Sequence, residues 1–167
     1  ITAAVNHVLT STGGSLNALF NNGAYAIPGP IEDLSRAAMT ASLNANFLGW
    51  HDLTVQLLPA MRAQGHGRIV NCSSVLGLVA TPYRGAYCAS KFAVEAWSDA
   101  LRMEMVDAGI FVSLIEPGPI VTKFRANAVK RFEQWVDWEN SLRVEEYRTG
   151  LLDRVYKGSG NSPFSKP

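Results

Sequence analysis

The chain has 167 residues, 47% of them hydrophobic and 17% charged, with a formal net charge of +1. That composition suits one globular α/β domain, and the near-neutral balance argues against a nucleic-acid partner, whose recognition needs a concentrated basic patch. No apolar run reaches the ~18 residues of a membrane span, and the first residues do not read as a signal peptide.

Residues 2–11 carry a helical pattern, and residues 16–20 form a short apolar run that reads as a buried strand. A Gly- and Pro-rich loop follows over 23–30. Residues 31–64 place apolar side chains at helical spacing, with a break expected near Asn44 and a bend at Pro59, because proline removes a donor and clashes with the preceding turn. Residues 68–72 read as a second strand, 83–108 as a long helix and 111–115 as a third strand. Short apolar runs separated by long helices predict right-handed β-α-β crossovers and a parallel sheet covered on both faces. The tail over 157–167 is rich in Gly, Ser and Pro and is expected to be mobile. Cys72 and Cys88 have no zinc spacing and read as a buried strand thiol and a small helix residue of a reducing, cytoplasmic compartment. His7, His51 and His66 are scattered, so no metal site is expected.

The chemistry concentrates in Tyr87-Cys88-Ala89-Ser90-Lys91. At i and i+4 the phenol and the ammonium share one helical face. A free phenol titrates near ~10, and a nearby cation should favour the phenolate and lower that value. The pair then suits proton transfer to or from a hydroxyl or carbonyl group; alone, it fits a solvated helix face equally well.

The surroundings are more specific. Asn21-Asn22-Gly23-Ala24, then Asn46-Phe47-Leu48-Gly49, then Ser74 thirteen residues before Tyr87, then Pro117-Gly118 follow one another in order. Over residues 5–124 this resembles the short-chain dehydrogenase/reductase family, and especially its NADP-preferring aldehyde, retinol and 17β-hydroxysteroid reductases. The resemblance implies a Rossmann-like doubly wound parallel sheet with helices on both faces. It is partial, since no Gly-x-x-x-Gly-x-Gly turn precedes Leu16 and Gly13-Gly14 is no substitute. It implies an NAD(P)-dependent oxidoreductase that interconverts a carbonyl and an alcohol, on a hydrophobic aldehyde, ketone or steroid- or retinoid-like small molecule. Tyr87 would be the general acid or base, Ser74 would hold the substrate oxygen, and Lys91 would lower the Tyr87 pKa and bind the nicotinamide ribose. Asn46 would anchor a water linking Lys91 to solvent.

On the cofactor side, the resemblance assigns Asn22, Gly23 and Ala24 to the adenine ribose, although Gly and Ala are exchanged relative to the family order. An alanine forced to positive φ there would cost about 1 kcal/mol. Pro117, Gly118, the Ile120 backbone and the Thr122 hydroxyl would meet the nicotinamide end, with an N-cap as the alternative role for Thr122. NADP is favoured over NAD. Residues 124–156, with Phe132, Trp135, Trp138 and Tyr147, stand where the family carries its substrate lid; the aromatics either cover a ligand or pack on the core. A homo-oligomer is implied, with Trp50, Leu57, Trp97 and Leu101 either at its seam or in the monomer core. A silent binding module is the alternative to an enzyme, and the extended epimerase/dehydratase branch fits the motif spacing less well. Without the glycine-rich turn that neutralises a pyrophosphate, these 167 residues by themselves are expected to bind NADPH too weakly to measure and to reduce no carbonyl. Calorimetry with NADPH checks this, and micromolar binding would place the phosphate site elsewhere.

Overall fold

The computed structural model describes residues 1–158. The expected mobile tail therefore lies, from residue 159 on, outside the described residues. Three strands, β1 (Ala18–Asn21), β2 (Gly67–Cys72) and β3 (Ile110–Ile115), form a parallel sheet in that spatial order. The register sets Leu19 beside Ile69 beside Val112, and Asn21 beside Asn71 beside Leu114. Helix α1 (Thr2–Ser11) precedes β1, α2 (Arg36–Leu43) and α3 (Gly49–Gln64) link β1 to β2, and α4 (Gly85–Glu104) links β2 to β3. Helix α5 (Phe124–Trp135) follows β3.

The parallel α/β architecture is the one expected. Each strand adds on the same side of the last, so right-handed crossovers carry α3 and α4 to one common face. There Met61 of α3 and Leu101 of α4 meet Ile69, Ile110 and Val112 in one apolar core. Alternate strand residues point the other way, where Phe20, Phe111 and Ile115 are exposed and the Arg68 guanidinium lies over the Phe111 ring at 5.3 Å. Helices α3 and α4 thus share one face of the sheet, in keeping with the expected Rossmann-like fold.

Element ends depart from the periodic pattern where backbone conformation overrules it. The helix expected over 83–108 begins only at Gly85, because Tyr83 is left-handed at φ 65°, and it ends at Glu104. A 3-10 turn, Val106–Ala108, and Gly109 at φ 66° complete the segment. A Cβ at Gly109 would sit 2.5 Å from the Gly65 carbonyl oxygen, so glycine is required for two reasons. The segment 31–64 opens with a 3-10 turn, Ile31–Asp33, and α2 starts after Ser35, whose side chain accepts from the Ala38 amide. The break expected near Asn44 is a π-helical turn, Asn44–Leu48. Pro59 does not end α3, which runs on to a left-handed Gly65.

The structure decides between the two readings left open for each set of apolar residues. Trp50, Leu57 and Leu101 are buried within the monomer, at 6%, 3% and 6% exposure, so they do not form an intermolecular seam. Trp97 packs edge-on to Phe47 and His51 beside the same core. Phe132 and Tyr147 are fully buried with Ile27, Leu34, Ala38 and Val136, and Trp135 and Trp138 pack against that cluster. These aromatics make the core of the C-terminal part instead of lining a cover. The Tyr147 hydroxyl donates to Asp33 Oδ2 at 2.8 Å, and Arg143 pairs with Glu32 and Glu146.

A buried polar ladder crosses the sheet–helix interface. Asn21 Nδ2 donates to Asn71 Oδ1 at 2.9 Å and to Thr54 Oγ1 of α3 at 3.2 Å, while Asn71 Nδ2 donates to Ser98 Oγ of α4 at 2.8 Å. Removing one member strands its partners without water. Asn71→Ala should therefore destabilise the chain by about 1–3 kcal/mol in urea unfolding; an unchanged midpoint would mean the ladder contributes no net stability.

Candidate active site

Ser74 leaves β2 in extended conformation, and its Oγ accepts from the Leu76 amide at 3.1 Å, capping the 3-10 turn Val75–Gly77. The Val75 amide donates to the Pro117 carbonyl at 3.2 Å. The turns after β2 and β3 are thereby joined at the carboxyl end of the sheet, where open α/β sheets bind ligands.

Tyr87 lies in the first turn of α4 and is 8% exposed. Its ring meets Phe124 edge-on with centroids 5.3 Å apart and packs with Ala26 and Ala128. Burial pushes the phenol above its ordinary pKa, and the Ser74 hydroxyl works in the opposite direction. The expected lowering by Lys91 is not what this arrangement gives. The Lys91 ammonium is 5.5 Å from the Tyr87 ring centroid and donates instead to the Cys72 carbonyl at 2.6 Å.

Lys91 is itself 1% exposed. Burial lowers its pKa to about 8, with Cys72 and Glu95 opposing the fall. Its ammonium sits over the Trp50 ring at 4.6 Å, and Trp50 Nε1 donates to the Gly23 carbonyl at 3.0 Å. Trp50 therefore ties the Asn22-Gly23-Ala24 segment to Lys91.

Asn46 occupies the π-helical turn with no solvent exposure. Its Oδ1 accepts from the Tyr25 amide at 3.0 Å, and its Nδ2 donates to the Tyr25 carbonyl at 2.8 Å and Ser90 Oγ at 3.1 Å. Both amide protons are used by protein groups, so the side chain pins the 23–30 loop to α4 and holds no water through its donors. Gly49 fits the same turn: a Cβ there would approach the Asn44 carbonyl oxygen to 3.1 Å.

Asn22 and Gly23 are exposed and Ala24 half-buried, and neither Gly23 nor Ala24 has a positive φ. The exchange of Gly and Ala thus carries no left-handed strain. This segment faces Asn127, Lys130 and Arg131 of α5 across a cavity of about 390 Å³. Gly118, Ile120 and Thr122 stay on an exposed loop; Thr122 Oγ1 accepts from the Phe124 amide at 3.1 Å, but the N-cap position of α5 falls to Lys123, not to Thr122. Among the described residues no cluster of His, Cys, Asp or Glu could hold a metal, and no helix is long and apolar enough to cross a membrane.

The structure thus brings Ser74, Tyr87 and Lys91 together and attaches Asn46 and Gly23 through Ser90, Tyr25 and Trp50. Sequence reasoning missed Trp50, Ser90 and Phe124 as site residues. Trp50 lies one helical turn after Asn46, and Ser90 stands inside the Tyr-x-x-x-Lys stretch, so both carried a positional signal.

A family model described as short chain dehydrogenase matches residues 1–132. An uncharacterized oxidoreductase of Escherichia coli strain K12, YbbO, is 56% identical over 124 residues, covering 74% of this chain and 46% of that protein. Retinol dehydrogenase 8 of Bos taurus is 40% identical over 119 residues, covering 71% of this chain and 38% of the other. The crystal structure of a gluconate 5-dehydrogenase from Burkholderia cenocepacia, in complex with NADP and tartrate, superposes with a TM-score of 0.69 at 25% identity, covering 74% of this chain and 48% of that one. The chain spans less than half the length of these relatives.

The low Lys91 pKa makes a signed prediction. The folded value of about 8 lies below the ordinary 10.5, so the unfolded chain holds this proton more tightly. The charged Lys91 then costs stability below pH ~8, and the cost fades as pH rises toward ~10.5. Lys91→Met should be more stable than the natural chain at pH 7 by roughly 1–3 kcal/mol, with the gap closing at alkaline pH in urea titrations; parallel pH profiles would assign Lys91 an ordinary pKa.

Proposed function

The chain belongs to the short-chain dehydrogenase family, and we propose that it carries the proton-transfer centre of an NAD(P)-dependent oxidoreductase that interconverts a carbonyl and an alcohol. The observation behind this reading is the meeting of Ser74, Tyr87 and Lys91 at the carboxyl end of β2, with Tyr87 and Lys91 both withdrawn from water.

The residues present fit the ribose and nicotinamide ends of a dinucleotide. The backbone at Gly23 is open, with nothing within 4 Å of where a Cβ would stand, and it borders the cavity under α5. Asn22, Gly23 and Ala24 would meet the adenine ribose and Lys91 the nicotinamide ribose. Pro117, Gly118 and the Ile120 backbone would hold the carboxamide end, with Thr122 reaching a phosphate. When bound, the nicotinamide supplies or accepts the hydride. NADP is the favoured form, a preference supported by the NADP complex of the gluconate 5-dehydrogenase.

The chain's own groups do the rest. Burial keeps the Tyr87 phenol protonated at neutral pH, so it is ready to give its proton to a carbonyl oxygen, or to recover one from an alcohol through its conjugate base. The Ser74 hydroxyl donates to the same oxygen and stabilises negative charge as it develops there. Lys91 places a positive charge behind the phenol. Leu76, Ala26, Phe124 and Ala128 surround Tyr87 with apolar surface, which supports a hydrophobic aldehyde, ketone or steroid- or retinoid-like substrate, as does the name of the retinol dehydrogenase relative. A homo-oligomer would use apolar residues that the long helices leave exposed, Val55, Phe92 and Met103.

In the chain joined to a glycine-rich nucleotide-binding half, Tyr87→Phe should lower turnover of a hydrophobic aldehyde by about 10²–10⁴-fold. NADPH affinity should stay nearly constant, since the hydroxyl acts in the transition state. Near-normal turnover would remove Tyr87 from the mechanism.

A further inference from the structure

Two buried polar atoms beside the site have no hydrogen-bond partner: Ser73 Oγ, on a residue 1% exposed, and Glu95 Oε1. Ser73 follows β2 immediately before Ser74, and Glu95 stands one helical turn beyond Lys91 on α4. Both crowd Gly77, where a Cβ would lie 2.7 Å from Ser73 Oγ and 2.9 Å from Glu95 Oε1. Any side chain at position 77 would push them away. A hydroxyl donor and a carboxylate acceptor thus converge beneath the very turn that Ser74 caps.

A carboxylate oxygen held out of water without a donor is costly. A cation nearby offsets that cost, and Lys91 stands one helical turn away on α4. Cys72 from β2 and Glu95 from α4 are the groups that favour its charged form, and Tyr87 is the other titratable side chain beside it. Trp50 of α3, which covers the ammonium, brings a ring face but no titratable group. The surrounding elements therefore leave Glu95 as the acidic side chain that answers the buried ammonium.

We propose that Glu95 is a positioning residue for the reaction read above: its carboxylate, one helical turn from Lys91, supports the charged ammonium and, packed with Ser73 against Gly77, steadies the turn that presents Ser74. This rests on the oxidoreductase reading only for its purpose, because the pair itself can be observed without cofactor or substrate.

Lysine labelled with ¹³C at Cε reports the Lys91 titration directly in the 167-residue chain. Glu95→Gln should lower the Lys91 midpoint by at least about half a pH unit, the effect of removing a carboxylate one helical turn away even with water-like screening. Ser73→Ala should leave that midpoint in place. Both Ser73→Ala and Glu95→Ala should speed exchange of the Gly77 amide, which donates to the Ser74 carbonyl at 2.8 Å, by about tenfold. An unmoved Lys91 midpoint in Glu95→Gln overturns the charge role, and unchanged Gly77 exchange in both alanine variants overturns the positioning role. If Glu95→Gln does not fold, the Glu95 carboxyl carbon of the natural chain serves instead: it should shift as Lys91 titrates, and a flat response overturns the proposal. A normal Lys91–Glu95 response, together with no carbonyl reduction by the chain joined to its nucleotide-binding half, would overturn the functional reading and leave this pair standing.

Discussion

Withdrawing the Lys91 ammonium from water is the constraint around which this fold is arranged. A bare cation in an apolar interior is among the most costly groups a fold can hold, so fixed partners must meet it from several directions. The Cys72 carbonyl meets it from the end of β2, the Trp50 ring from α3 and the α4 turn from beneath. For those three to converge, β2 must stop at Cys72, α3 must pass above the sheet's carboxyl end, and α4 must start close enough to bring its second turn under the strand. The crossover handedness that sets both helices on one face is what makes this possible.

The loop that leads from β1 is fixed by the same arrangement through a different residue. Asn46 gives up the regular α-helical ladder, and the π-turn around it aims its amide at both backbone groups of Tyr25. Such turns are found most often where a helix does more than pack. Through Ser90 the amide also reaches α4, one residue before Lys91. The loop, the interrupted helix and α4 are therefore one hydrogen-bonded unit, and displacement of any of them is felt by the other two.

Much of this was legible in the sequence. The short apolar runs of β1, β2 and β3 and the long amphipathic patterns between them pointed to a parallel α/β sheet, and the Ser74, Tyr87 and Lys91 spacing singled out three side chains that the fold brings together. The choices left open share a cause. Apolar pattern alone does not say whether Trp50, Leu57 or Leu101 faces the sheet or a neighbour; the rotation of each helix, set by tertiary packing, decides it. The aromatics of residues 124–156 were ambiguous for the same reason, since Phe132 and Tyr147 satisfy either reading until Ile27 and Leu34 are seen beside them. The direction of the Tyr87 pKa failed differently: spacing along a helix fixes which side chains are neighbours, but not that a strand carbonyl has already engaged the ammonium.

Tyr83 shows how narrow the choices become at such junctions. Its left-handed backbone lets the chain turn sharply into α4, its carbonyl accepts from the Gly29 amide at 3.0 Å, and its hydroxyl donates to Glu146. Glycine would adopt that backbone freely but lose the link to Glu146, while asparagine would tolerate it but lack the reach. Phenylalanine would keep the shape and give up the bond to Glu146, which would retain Arg143. An adaptive walk through variants of this chain would find position 83 nearly closed, although the residue touches none of the reacting groups, because its tolerance is set by a junction between two distant segments.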